Sequence, residues 1–275
     1  MTVIEVLKAA SGHLTKHRST SARLDSELLL AQALGIKRLD LYLQFDRPLS
    51  DDELGRFREL IRRRGHGEPV AYLVGHKEFM ALEFEVTPAV LVPNPDTELL
   101  VQRAVAIARQ SDSALRVADV GTGSGCIAIA LAHYAPRVEV WASDVSQAAL
   151  EVAGRNVARH GLGERVHLVG GDLLAPLPGE LDLVCANLPY LPAGLTLPAE
   201  VTAQPREALF AAGDGAALVI QLLGAAPAKL KPGGRVLAEL DPAIVETVSE
   251  AAARGFANVQ VHRDLGGHER MLEAW

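Results

Sequence analysis

The chain has 275 residues, of which 49% are hydrophobic, and a net charge of −7. That length holds one large domain or two smaller ones, and no run of about 18 apolar residues is present to span a membrane. Residues 1–85 carry 13 basic and 13 acidic side chains, so the whole negative excess lies in the remainder, and the basic footprint of a free-standing nucleic-acid enzyme is missing.

Cys126 and Cys185 sit in apolar segments and read as small buried hydrophobes of a reducing compartment, not as a disulfide framework. The nine histidines have no metal-ligand spacing. Met1-Thr2-Val3-Ile4-Glu5 has no basic region followed by an apolar core, so no signal peptide is expected and the expected compartment is the cytoplasm.

In chain order, Val3, Ile4, Val6, Leu7, Ala10 and Leu14 recur at a helical period over residues 2–17. Ser21 to Leu34 repeats the pattern, and Gly35 fits a helix stop. Leu39 to Leu43 reads as a short helix. Ser50-Asp51-Asp52-Glu53 is a capping box with acids in the first turn, opening a helix to about Arg64. Arg62-Arg63-Arg64 reads as a solvated helix end that complements the dipole, or else as a contact to an acidic partner. Residues 1–75 together predict a small helical bundle.

From Phe79 to Val92 the period shortens, which predicts two extended segments around Thr87-Pro88, as a hairpin within a linker over residues 76–94. Asn94 then suits an N-cap, Pro95 the first helical position, and Asp96 and Glu98 the positive end of a helix to about Gln110. A catalytic domain is expected over residues 95–275. Its candidate strands are 115–120, 138–143, 165–169, 181–186, 234–240, 257–263 and 269–274. Helices are expected at 124–134, 146–160, 214–230 and 242–254. This alternation predicts an α/β fold with a doubly wound, mostly parallel seven-stranded sheet. The last two strands are joined only by Asp264-Leu265-Gly266-Gly267, so they should form a terminal antiparallel hairpin.

Three features at strand ends carry chemistry. Asp119-Val120-Gly121-Thr122-Gly123-Ser124-Gly125 follows the first strand of the sheet, and its glycines let backbone approach a ligand. Asp144 ends the second strand, where a carboxylate can accept from both ribose hydroxyls, and Asp172 ends the third, where an acid can accept from an adenine amino group. Both acids also fit ordinary turns. The loop lacks the third glycine of a dinucleotide fingerprint and has no basic residue for a phosphate, which favours S-adenosyl-L-methionine over NAD.

The third feature is Asn187-Leu188-Pro189-Tyr190, behind the apolar strand 181–186. An amide or aromatic amine has a delocalised lone pair, which must be freed and aimed before it attacks a methyl group. The Asn187 side-chain oxygen and the Leu188 carbonyl can each accept one N–H of an NH₂ group. Pro189 holds the turn and Tyr190 can stack on the planar acceptor.

These segments resemble the bacterial protein-(glutamine-N(5)) methyltransferases that modify peptide-chain release factors. The likeness rests on Pro69 to Gly75 with Glu78-Phe79, on Val92 to Leu100, on the glycine loop and on Asn187 to Tyr190. Pro205 to Leu209 and Gly213-Asp214-Gly215 complete it. It implies a class I S-adenosylmethionine-dependent methyltransferase preceded by a helical domain that recognises the release factor, acting as a monomer on the glutamine of a Gly-Gly-Gln loop. It further implies that Asp119, Gly121, Thr122, Gly123, Ser124, Gly125, Asp144, Asp172, Leu173 and Asn187 line the cofactor site, and that Asn187 to Tyr190 hold the glutamine. Three residues depart from the pattern: Leu188 replaces a proline, Asn94 an arginine and Gln204 a glutamate. The competing expectations are a ribosomal-protein glutamine methyltransferase, an adenine or guanine amino-methylating enzyme, and a degenerate fold kept for binding.

Overall fold

The computed structural model describes residues 1–192, 194–211, 213 and 215–275. Asp214, the acid of the Gly213-Asp214-Gly215 motif, therefore lies outside the described residues. The chain divides into two units, one of Met1–His76 with Leu197–Ala203 and one of Lys77–Thr196 with Gln204–Trp275.

The first unit is helical, and its helices begin where local chemistry satisfies their free N–H groups. Helix α1 (Val3–Lys16) starts at a Thr2–Glu5 capping box and α2 (Ala22–Leu34) stops at Gly35, whose φ is 66°. A 3-10 turn, Arg38–Leu43, leads to α3 (Asp51–Gly65), which opens on the expected Ser50–Glu53 capping box. The short α4 (Val70–Val74) follows. Leu14, Leu29, Leu30 and Phe57 fill the core between these helices.

The arginine run at the end of α3 departs from the solvated reading. Arg62 pairs with Glu59 in solvent and Arg63 with Glu68, but the Arg64 side chain is only 5% exposed. It donates to Asp25 at 2.7 Å and to Glu200 at 2.5 Å. Those two acids, distant in sequence, turn a helix-end charge into a buried pair.

A hairpin of β1 (His76–Phe79) and β2 (Leu82–Glu85) follows, in the second unit from Lys77 onward. Its turn is Met80-Ala81, at φ 51° and 56°, and not Thr87-Pro88. Pro88 has no N–H for a ladder, and Thr87 instead begins a turn in which Val90 N–H donates to its carbonyl at 3.1 Å. Phe79 and Phe84 pack edge to face inside the main core.

Asn94 caps the turn Pro95–Thr97, its side chain accepting from Asp96 N–H at 3.2 Å, and α5 (Glu98–Gln110) continues from it. Next come β3 (Leu115–Val120), α6 (Cys126–Tyr134), β4 (Val138–Asp144), α7 (Gln147–Arg159), β5 (Val166–Gly170) and β6 (Leu181–Ala186). The region between β6 and the next long helix holds β7 (Leu191–Pro192), α8 (Ala199–Thr202), α9 (Arg206–Leu209) and β8 (Phe210–Ala211). Then follow α10 (Ala217–Ala225), β9 (Leu230–Glu239), α11 (Val245–Ala252), β10 (Val259–Arg263) and β11 (Glu269–Ala274).

Seven strands form one sheet in the order β10-β11-β9-β6-β3-β4-β5. The five from β9 to β5 run parallel, whereas β11 is antiparallel to both β9 and β10. The doubly wound sheet and its terminal hairpin are therefore those expected from the alternation. Apolar faces on both sides bury Val117, Leu183 and Leu237 against one helical layer and Val120, Val184 and Val236 against the other. Neighbouring β6, β3 and β4 thus deliver the tetrapeptide, the glycine loop and Asp144 to one sheet edge.

Candidate active site

The glycine loop is held from beneath by Asp119, which is wholly buried at the end of β3. Its Oδ2 accepts from the Thr122 hydroxyl at 2.7 Å and from Ala128 N–H at 3.1 Å. Oδ1 has no partner among the described residues, and burial pushes the carboxyl up to about 7 against the pull of those two bonds. Gly121, Gly123 and Gly125 adopt φ of 74°, 55° and 81°, a region costly for any residue with a Cβ. The loop is further tied to β4 by Gly121 and Thr122 N–H, which donate to the Ser143 carbonyl at 2.9 and 3.0 Å.

Asp144 closes the same corner. One of its oxygens accepts from Gly123 N–H and the other from Ser146 N–H, each at 2.9 Å. Each oxygen keeps a second lone pair, so the side chain is fixed and still able to accept from two hydroxyls. Leu173 has φ 44°, and its carbonyl accepts from the buried Ser143 hydroxyl at 2.8 Å, which fixes the turn after β5. Asp172 is exposed beside it.

A single cavity brings these parts together. Of the residues expected from sequence, Gly121, Thr122, Gly123, Ser124, Asp144, Asp172, Leu173, Asn187, Leu188 and Pro189 line it. Asp119, Gly125 and Tyr190 do not: Asp119 and Gly125 shape the loop rather than its surface. Around Gly123 the space a Cβ would take is open, Asp144 offers acceptors, and the exposed apolar Val145 stands next to it. Close backbone approach, a hydroxyl acceptor and an apolar side chain suit an adenosine group. Sequence reading missed Val145; an apolar residue directly after a strand-end acid was the available signal.

At the end of β6 the Asn187 side chain donates through Nδ2 to the Thr97 hydroxyl oxygen at 2.9 Å. Thr97 is buried, and its hydroxyl favours the ionised form of the Glu239 carboxyl against burial. Tyr190 donates to Glu239 Oε1 at 3.4 Å. Burial pushes the Glu239 carboxyl up to about 7 and the Tyr190 hydroxyl well above its ordinary value. Thr97 and Glu239 were also missed, although Glu239 is an acid ending the apolar run Val236-Leu237-Ala238.

The three departures each have a structural place. Leu188 is buried, and its Cδ2 fills the space a Cβ on Gly121 would need. Asn94 caps its turn and borders the cavity. Gln204 accepts from Val92 N–H at 2.9 Å through Oε1, the role a glutamate oxygen could fill. Both cysteines are buried enough to push their thiols up, Cys126 to about 12, which keeps them protonated and apolar in character.

Two family models match: the PrmC N-terminal domain over residues 5–75 and the methyltransferase small domain over residues 94–231. A release factor glutamine methyltransferase of Moorella thermoacetica is 41% identical, covering 100% of this chain and 99% of its own. The protein of that name from Geobacter sulfurreducens is 40% identical, covering 98% and 95%. The chain belongs to the release factor glutamine methyltransferase family. It shares its fold with a methyltransferase from Pyrococcus furiosus at TM-score 0.55 and 20% identity, over 72% of this chain and 90% of that one. A 16S rRNA N2 G1207 methyltransferase of T. Thermophilus gives TM-score 0.53 at 18% identity, over 72% and 49%. In this member of the release factor glutamine methyltransferase family, the glycine loop, Asp144 and Asn187 therefore share one cavity on a methyltransferase fold.

Proposed function

We propose that this protein transfers a methyl group from S-adenosyl-L-methionine to the side-chain amide nitrogen of the glutamine in the Gly-Gly-Gln loop of peptide-chain release factors. The observation that carries the reading is the Asn187 amide, set by Thr97 on the wall of the cavity that also holds the glycine loop. With Nδ2 committed to Thr97, the amide oxygen is left for an incoming N–H. The relatives at about 40% identity over the full chain supply the acceptor class through their name.

When bound, the cofactor supplies an electrophilic methyl on a sulfonium sulfur. Gly121 and Gly123 would let it approach the loop backbone, and Asp144 would accept from its ribose hydroxyls. Asn187 Oδ1 and the Leu188 carbonyl take one N–H each of the glutamine NH₂, which holds the nitrogen and favours its pyramidal form. The methyl would pass to that nitrogen with the cofactor's sulfide as the leaving group. The nitrogen's extra proton leaves afterwards to water, so no residue has to act as a base. Pro189 restricts Leu188 to extended backbone and keeps its carbonyl aimed.

A cytoplasmic monomer acting on a translation factor belongs to the same reading, and no helix among the described residues is long and apolar enough to cross a membrane. The test offers radiolabelled cofactor with purified release factor, ribosomal protein or DNA. Label in release factor alone supports the proposal. Label confined to ribosomal protein or DNA overturns it.

A further inference from the structure

We propose that Gln204 is a positioning residue for the acceptor side of the cavity: its side-chain oxygen pins the wall segment that leads to Thr97, and so steadies the Asn187 amide. The inference deepens the proposed reaction at that cavity and rests on it.

Two segments far apart in sequence wall the cavity, one through Val92 and Pro93 and the other through Pro205 and Ala208. Val92 is half-buried and lies in no helix or strand, so no ladder supplies an acceptor for its N–H, which needs one. It donates to Gln204 Oε1 at 2.9 Å, across 112 residues of sequence. Each partner stands immediately before a proline, Pro93 or Pro205, and both prolines line the cavity. A residue before proline is kept out of helical backbone, so both ends of the bond have little freedom to lose in forming it. One side chain thereby sets the spacing of two proline-stiffened walls.

What this bond holds continues to the clamp. Asn94 follows Pro93; its carbonyl accepts from Thr97 N–H at 3.1 Å and its side chain caps the same turn. Thr97 is buried, and its hydroxyl oxygen accepts from Asn187 Nδ2 at 2.9 Å. From Val92 the chain thus runs, with no strand to brace it, directly to the residue that aims the amide. Without the Gln204 oxygen, Pro93 and the turn behind it can shift, and Asn187 loses a fixed partner. The adenosine corner is built on other elements, where Asp144 accepts from Gly123 and Ser146 N–H, and does not depend on this contact.

Gln204→Leu keeps the bulk and removes the oxygen. It should raise the KM for release factor about tenfold, as for a half-buried N–H left without its acceptor. The cofactor Kd, by calorimetry, should stay within about twofold. Gln204→Glu keeps an oxygen at the same reach and should retain most of the turnover that Gln204→Leu loses. Gln204→Asn is polar but a methylene too short, and should behave like Gln204→Leu. A merely structural residue would separate neither acceptor from cofactor nor glutamate from asparagine. Amide hydrogen exchange reads the contact without substrate. Val92 N–H should exchange about tenfold faster or more in Gln204→Leu than in the unaltered protein, and stay protected in Gln204→Glu.

A KM for release factor in Gln204→Leu within about twofold of the unaltered protein overturns the proposal. So does Val92 exchange that is the same in both. If the unaltered protein modified no release-factor glutamine, the functional proposal would fall, while exchange at Val92 would still decide whether Gln204 holds the wall.

Discussion

Gly215 packs so closely over Tyr190 that a Cβ placed on it would stand 2.0 Å from the Tyr190 carbonyl oxygen. The obstacle is backbone, which cannot swing aside, and Gly215 also sits at φ 97°. Gly215→Ala must therefore displace the last residue of the clamp. Strain and overlap together should lower stability by about 2–4 kcal/mol, read as a drop in thermal midpoint of roughly 2–4 °C for each kcal/mol. Methyl transfer should fall with it by about tenfold or more, as measured in the folded fraction.

A milder outcome is expected at Gly121. There a Cβ would meet the end of the Leu188 side chain at 3.0 Å, and a leucine tip can move. The remaining cost is the left-handed backbone at φ 74°, about 1–2 kcal/mol for a residue with a Cβ. Gly121→Ala should weaken cofactor binding about tenfold by calorimetry while the fold persists. Adding Leu188→Ala should recover little of that loss, because the strain is in the backbone.

Asp119 links stability to pH. Its folded carboxyl is raised to about 7 by burial, so the folded protein binds a proton that the unfolded chain releases at its ordinary, lower value. Stability is then highest below the unfolded value and declines as pH rises to about 7. Asp119→Asn cannot ionise and keeps an oxygen for Thr122 and Ala128. The thermal midpoint of the variant relative to the parent should accordingly rise between pH 5 and pH 8.

Glu273 has the opposite sign. It is wholly buried on β11 and accepts from Arg103 at 2.7 and 2.9 Å, Arg235 at 2.5 Å and His262 at 3.0 Å. Burial pushes its carboxyl up, yet these bonds outweigh burial and hold it below the usual range. Its contribution is present above the unfolded value and is lost as pH falls through the folded one. The arginines are 31% exposed, so Glu273→Leu should cost about 2 kcal/mol, less than a fully buried pair. Denaturant titration should find that cost at neutral pH and a smaller one in acid.

The sheet was legible because its signal is local: short apolar runs separated by helices, with glycine or acid at the strand ends. The same holds for the Ser50–Glu53 capping box and for Asn94, whose partners lie within three residues. Arg64 was misread because its partners, Asp25 and Glu200, are 39 and 136 residues away. The hairpin was placed too late because Met80 and Ala81, at positive φ, carry no turn signature. Within the site, the cavity wall could be named from motifs. The Asn187–Thr97 contact could not, since it joins residues 90 apart in sequence on separate elements.

Asn187→Ala should remove the acceptor oxygen and abolish methyl transfer while cofactor affinity changes little. Near-full turnover would show that the nitrogen is held elsewhere.

The most direct measurement is tandem mass spectrometry of the loop peptide from a purified release factor after incubation with this protein and S-adenosyl-L-methionine. The proposed reaction requires one added methyl on the side-chain amide of the Gly-Gly-Gln glutamine, present with the unaltered protein and absent with Asn187→Ala. An unmodified glutamine, or a methyl on any other residue, would contradict it.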